Sequence, residues 1–252
     1  MLSGLDVRIF PYICEAFSPR LAEARMLELK NVCMEPVGDG PEGGVSLTAE
    51  GGQVVGFGGG SEQWQTRLLR AMLGLEPVAS GYISIDGELV TPLSAPVMRR
   101  QMGYVPRAMR LPEMSVESLL SQVFAPKAGN ANGTFATSPE TSLPEERTRP
   151  KQLTKRWRAS LASCLGALQL GEHVLTGQTT ALSPSEQCRL FLALAMVSAS
   201  PYVFLDHPLC SQPRELYDDV RQCVEQMRSQ KRTVVVAVGQ QEEAAWCDKL
   251  IK

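Results

Sequence analysis

Nine residues, Gly58 to Thr66 (Gly-Gly-Gly-Ser-Glu-Gln-Trp-Gln-Thr), stand between an apolar strand pattern and a helical one. That is the layout of a nucleotide-binding strand–loop–helix, in which glycines let backbone N–H groups approach a phosphate closely. A complete phosphate loop, G-x-x-x-x-G-K-[ST], ends in Gly, Lys and a hydroxyl residue. Thr66 supplies the hydroxyl, but Gln65 and Trp64 stand where Lys and Gly belong. The loop has the form of an anion cradle without its ammonium.

Further along, Asp206 and His207 close an apolar run, Tyr202 to Leu205. His207 and Cys210 have the spacing of two metal ligands, but the sequence offers no second pair nearby, and none of the seven cysteines forms a C-x-x-C motif. Reduced, mostly buried thiols are the reading that fits.

These residues need elements to hold them. The segment 27–32 alternates apolar and polar residues, as does 45–48, which predicts two half-buried strands. Val37 to Gly44 is turn chemistry. Val54–Phe57 predicts a strand, and a helix is expected from Thr66 to Leu75, with Leu68, Leu69, Met72 and Leu73 on one face. Gly81–Ile85 reads as a strand closed by the Asp86-Gly87 turn. Met102–Pro106 predicts a short buried strand, and Ser115 caps a helix running towards Leu120. Helices are expected over Trp157–Leu170, Ser185–Ser198 and Arg214–Gln230. The apolar runs Tyr202–Asp206 and Thr233–Val238 predict central strands of a parallel sheet, with the last of those helices as crossover.

Residues 1–25 form a leader, with a short helix expected over Phe10–Phe17. The stretch 125–152 is rich in Pro, Gly, Ser, Thr, Asn and charge, which predicts a flexible loop. At 252 residues the chain can form one large α/β domain, or one with an inserted subdomain. A formal net charge of −2 gives no reason to expect nucleic-acid binding. No apolar run approaches the ~18–20 residues of a membrane span. Asp6, Arg8 and Glu15 interrupt the N-terminal apolar residues, so a signal-peptide core is not expected there. A soluble, cytoplasmic protein without direct membrane insertion is the expectation.

In this order the pieces resemble the nucleotide-binding domain of ABC transporters over about residues 26–252. Gly59, Thr66 and Leu68-Leu69 are similar to the family's phosphate loop. Gly74–Gly87 is similar to its G-L-x-x-P-x-S-G-x-I-x-I-D-G segment. Gly103-Tyr104-Val105-Pro106-Arg107 resembles the Q-loop, and Leu182–Leu190 sits where the signature L-S-G-G-Q would be. Pro201–Pro208 is similar to the Walker B strand, and Thr233–Ala244 to the switch-histidine strand. The resemblance implies a P-loop NTPase-like mixed/parallel sheet core with an N-terminal antiparallel β-subdomain. It also implies an inserted helical subdomain at about 108–200, containing the 125–152 insertion.

The same resemblance exposes a set of departures. Gln65 replaces the Lys whose ammonium offsets phosphate charge; charge-assisted hydrogen bonds are worth ~1.5–3 kcal/mol against ~1 for neutral ones. Glu62 and Trp64 stand at Gly positions, bringing a carboxylate and an indole towards the phosphates; Trp64 reads as a plug of the pocket or as a partner anchor. Arg107 stands for the Q-loop Gln, His207 for the general-base Glu and Gly239 for the switch His. Met34, Glu35 and Pro36 stand where the adenine-stacking aromatic would be.

Gly59, Gln65, Thr66, Arg107 and Asp206 are therefore the candidate vestigial ATP site, with ATP and Mg²⁺ weakly held or absent. Thr66 reads as a helix cap or a Mg²⁺ ligand. Asp206 reads as a Mg²⁺ ligand or as an acceptor for nearby backbone donors. His207 reads as an interface histidine or a base. Ser183, at the signature position, either caps its helix or offers its hydroxyl to a nucleotide on a second ABC-type subunit. The function expected is a degenerate cassette subunit beside an active ATPase subunit and membrane-spanning subunits. An ATPase with altered catalytic residues and a stand-alone interaction module are the alternatives.

Overall fold

The computed structural model describes residues 25–35, 40–41, 44–107, 111–124, 155–171, 173–198 and 200–251. Residues 1–24 of the leader, its expected helix, Pro36 and the expected loop over 125–152 lie outside them.

Two sheets carry the fold. The first is antiparallel, in the order β2-β1-β4-β5, from β1 (Met26–Cys33), β2 (Val45–Glu50), β4 (Ser80–Ile85) and β5 (Glu88–Leu89). In β2, Val45, Leu47 and Ala49 are buried between exposed neighbours, as a strand with one wet face requires. In β1 the alternation slips: Leu27 and Leu29 are buried, and the next buried residue is Val32. The pairing register shifts on both sides of β1 there, and Asn31 has φ 49°, so a bulge resets the phase. The β4–β5 hairpin turns through Asp86 and Gly87 at φ 53° and 79°, the left-handed pair that an Asp-Gly turn supplies.

The second sheet is parallel, in the order β6-β7-β8-β3-β9. It comprises β3 (Val54–Phe57), β6 (Met102–Val105), β7 (Tyr202–Asp206), β8 (Thr233–Ala237) and the short β9 (Lys249–Ile251). Every residue of β3, β7 and β8 is buried, because both faces are covered. Val203, Leu205, Val234 and Val236 point into one apolar cluster with the helices; Tyr202, Phe204, Val235 and Ala237 point into the other, with the antiparallel sheet. The period-2 alternation of a strand thus divides one continuous apolar run between two cores.

The helices are α1 (Glu62–Met72), α2 (Ala95–Met98), α3 (Val116–Phe124), α4 (Lys155–Ala167), α5 (His173–Thr176), α6 (Pro184–Ser198), α7 (Tyr217–Ser229) and α8 (Gln241–Ala244). Four of them, α3 to α6, lie between β6 and β7 in the chain. Arg232, 4% exposed, donates to Ala195 O and Met196 O, so the start of β8 caps the last turn of α6. The helix expected from Arg214 opens as a 3-10 turn, Arg214–Leu216, before α7. Among the described residues no helix is long and apolar enough to cross a membrane.

Candidate functional site

Four neighbouring parallel strands, β6, β7, β8 and β3, end on the same edge of the sheet, and every sequence-predicted site residue except Ser183 follows one of those ends. Gly59 to Thr66 follow β3, Arg107 follows β6, Asp206 and His207 close β7, and Gly239 follows β8. Crevices outside the carboxyl ends of such strands are where open α/β sheets hold ligands.

The loop after β3 is shorter than the sequence predicts. α1 begins at Glu62, four residues before the expected start at Thr66, because Ser61 is its N-cap: the Ser61 hydroxyl accepts Trp64 N at 3.1 Å. Gln65 N is bonded to Ser61 O at 3.0 Å. Two N–H groups of the expected cradle are therefore spent inside the helix. Gln65, 3% exposed, turns its amide back to donate to Gly59 O at 3.3 Å, and its buried Oε1 has no partner.

Two expectations for this loop are corrected. Thr66 is not a cap; it lies in the second turn of α1 and donates to Asp206 Oδ1 at 2.8 Å. Trp64 does not plug a phosphate pocket. Its indole is 4% exposed and packs in the apolar cluster of β1, β2 and β4, with Gly40 pressed against the ring. No side chain at position 40 could occupy that contact.

Asp206 is 2% exposed and accepts two side-chain hydroxyls, Thr66 on one oxygen and Tyr104, at 3.0 Å, on the other. Its partners are thus side chains from α1 and β6 rather than backbone donors. Burial and the Asp206 charge together hold the Tyr104 hydroxyl well above its usual range, so it stays a donor. The sequence places Tyr104 in a short strand and in the Q-loop resemblance, but gives its hydroxyl no role.

His207 follows with φ 50°, a left-handed conformation in which histidine is enriched. The imidazole is 2% exposed, neither ring nitrogen has a hydrogen-bond partner among the described residues, and Nε2 lies 3.8 Å from Asp206 Oδ1. Gly239 explains how it fits: a Cβ there would meet His207 Nδ1 at 2.8 Å. The ring occupies the space that any side chain at 239 would need.

Arg107 forms an ion pair with Glu62 across the mouth of the crevice, side chains 38% and 54% exposed. The guanidinium holds the Glu62 carboxyl below the usual carboxylate range. Among the described residues no cluster of three or more His, Cys, Asp or Glu has metal-binding geometry. The six described cysteines are free, but only Cys164 and Cys188 are buried, fewer than expected; burial pushes the Cys188 thiol up to about 12.

One residue of this region escaped sequence reading. Glu243, 0% exposed, accepts Gly239 N at 2.6 Å and Gln240 N at 3.0 Å on one oxygen and Leu209 N at 2.9 Å on the other. It ties the loop after β7 to the loop after β8. Burial raises its pKa against the lowering effect of those three donors. The capping box between Gln240 and Glu243 was its one local signal.

Ser183 makes its contacts on its own helix. Its hydroxyl donates to Glu186 Oε2 at 2.7 Å, its N–H donates to the same oxygen at 2.8 Å, and Glu186 N returns a bond to the hydroxyl at 3.3 Å. With Pro184 at the first helical position this is a complete capping box. Those bonds from Ser183 hold the Glu186 carboxyl below its ordinary value.

A family model of ABC transporters matches residues 43–210. The chain belongs to the ABC transporter family. It is 28% identical over 201 residues to the molybdenum import ATP-binding protein ModC of Rhizobium etli, covering 77% of this chain and 48% of that protein. It is 28% identical over 216 residues to the cobalamin import ATP-binding protein BtuD of Halobacterium salinarum, covering 82% and 47%. The chain thus spans about half the length of these curated relatives. An ABC transporter ATP-binding protein of Pyrococcus furiosus superposes with a TM-score of 0.65 at 17% identity, over 90% of this chain and 96% of that one. This ABC cassette therefore has the mixed α/β fold that its motifs implied.

Proposed function

We propose that the chain is a cassette subunit of an ABC transporter that contributes structure and docking, while a second, ATP-hydrolysing subunit drives the cycle beside membrane-spanning subunits. In this reading it is cytoplasmic and reaches the membrane only through those subunits, with the 102–120 region as a contact. The observation that carries it is the early start of α1. Ser61 caps the helix, Trp64 N and Gln65 N are already bonded, and the Gln65 amide folds onto Gly59. A triphosphate would meet a neutral amide and the Glu62 carboxylate where the fold family presents Lys and glycine N–H groups, so these residues do not fit tight ATP binding. Transition-state charge needs such donors already in place.

Equilibrium binding of a fluorescent ATP analogue to the full chain tests this. A dissociation constant weaker than ~10 μM, about −7 kcal/mol, is expected; tighter binding would sink the reading.

One observation favours a second reading, an ATPase with altered residues. Thr66 and Asp206, the two candidate Mg²⁺ ligands, still touch at 2.8 Å. Mg²⁺-dependent turnover abolished by Asp206→Asn would establish it. Steady-state phosphate release is the measurement, and no turnover above background is expected.

A further inference from the structure

Two loops meet at one guanidinium. Arg107, in the loop after β6, is held by Glu62 at the start of α1. His207 lies against the same place: the Cβ position above Gly239 is 2.8 Å from His207 Nδ1 and 3.7 Å from Glu62 Oε1. Buried polar atoms are normally satisfied. Among the described residues neither nitrogen of His207, a side chain 2% exposed, has a partner. Glu62 is also the first residue of an eleven-residue helix, where an anion is favoured.

We propose that Glu62 is a built-in competitor for an anion site on Arg107, holding the guanidinium in the resting chain that a phosphate or phosphate ester takes once the carboxylate leaves. This rests on the preceding reading that the loop alone does not hold a triphosphate tightly. The pair is solvent-exposed on both sides, so its own attraction is weak and an external ligand can displace it. An incoming phosphate gains a fork of N–H donors on Arg107 that matches its oxygens. What opposes it is chiefly the like charge of the tethered carboxylate.

The test is calorimetric titration of the full-length chain with inorganic phosphate and, separately, with ATP. Glu62→Gln removes the charge and keeps the shape, and Glu62→Ala is the second variant. Both are expected to bind each anion at least about tenfold more tightly than the parent, the scale of one charge-assisted contact. Adding Arg107→Gln is expected to erase the gain. Equal gains for the two anions identify a site for the phosphate group itself; a larger gain with ATP identifies the ester as the better ligand. No gain in either variant, or a gain that survives Arg107→Gln, overturns the proposal. Tight ATP binding by the parent chain is a separate result, which strikes the reading under Proposed function instead.

Discussion

One half of the crevice is built like a core and the other like a surface. On the first side, Thr66, Tyr104 and Asp206 form two hydroxyl–carboxylate bonds of 2.8 and 3.0 Å, fixed by α1, β6 and β7. On the second, Glu62 and Arg107 meet in an exposed ion pair, and His207 leans on the bare backbone of Gly239. The first half uses atoms that strands and helices position regardless of sequence at the rim. The second depends on residues at the ends of loops. Scaffold and rim have separate tolerances, because a rim contact is worth ~1 kcal/mol while core burial sums to far more.

The largest test of this contrast removes what gives the rim its one deep anchor. Glu243→Ala leaves Leu209, Gly239 and Gln240 N–H without their acceptor. A loss of about 3 kcal/mol is expected from unpaired buried donors, measured by urea denaturation. A loss below ~1 kcal/mol, within the range of an exposed contact, would mean that the rim has no such anchor.

A smaller effect concerns His207 and Gly239. Gly239→Ala puts a methyl against the His207 ring, with an expected loss of about 1–3 kcal/mol from overpacking. His207→Ala in the same chain should recover most of it, giving a coupling above ~0.5 kcal/mol in a double-mutant cycle. Additive losses would show that the two positions are independent.

The smallest effect is electrostatic. Arg107 depresses the Glu62 pKa, so the pair's contribution is fully present above the ordinary carboxylate pKa and is lost as pH falls through the lowered value. Solvent screening keeps it below about 1 kcal/mol. The melting temperatures of the parent and Glu62→Gln should therefore converge below about pH 4, near the carboxylate range. A difference that grows towards acid would contradict the pairing.

The legible parts of the fold are those where local pattern and burial agree. The apolar runs of β7 and β8 read as central strands because both sheet faces are covered, and the Asp86-Gly87 turn was readable because few other dipeptides take two left-handed residues. The start of α1 was not. The glycine-rich approach suggested a long loop, although Ser61 followed by acidic Glu62 is itself a helix-start signal. β9 was missed because three residues are too few to show alternation. The Glu62–Arg107 pair joins residues 45 positions apart and leaves no local trace. Trp64 misled for a related reason: its place within the loop sequence says nothing about which core its ring enters.

The left-handed backbone at His207 limits what can replace it. Aspartate, asparagine, histidine and glycine accept that conformation most readily, so a glutamate placed there starts under strain. An imidazole at 239 is blocked while the ring at 207 remains. The two positions claim one volume, so an exchange at either has to be answered at the other, and they are mutable as a couple rather than singly.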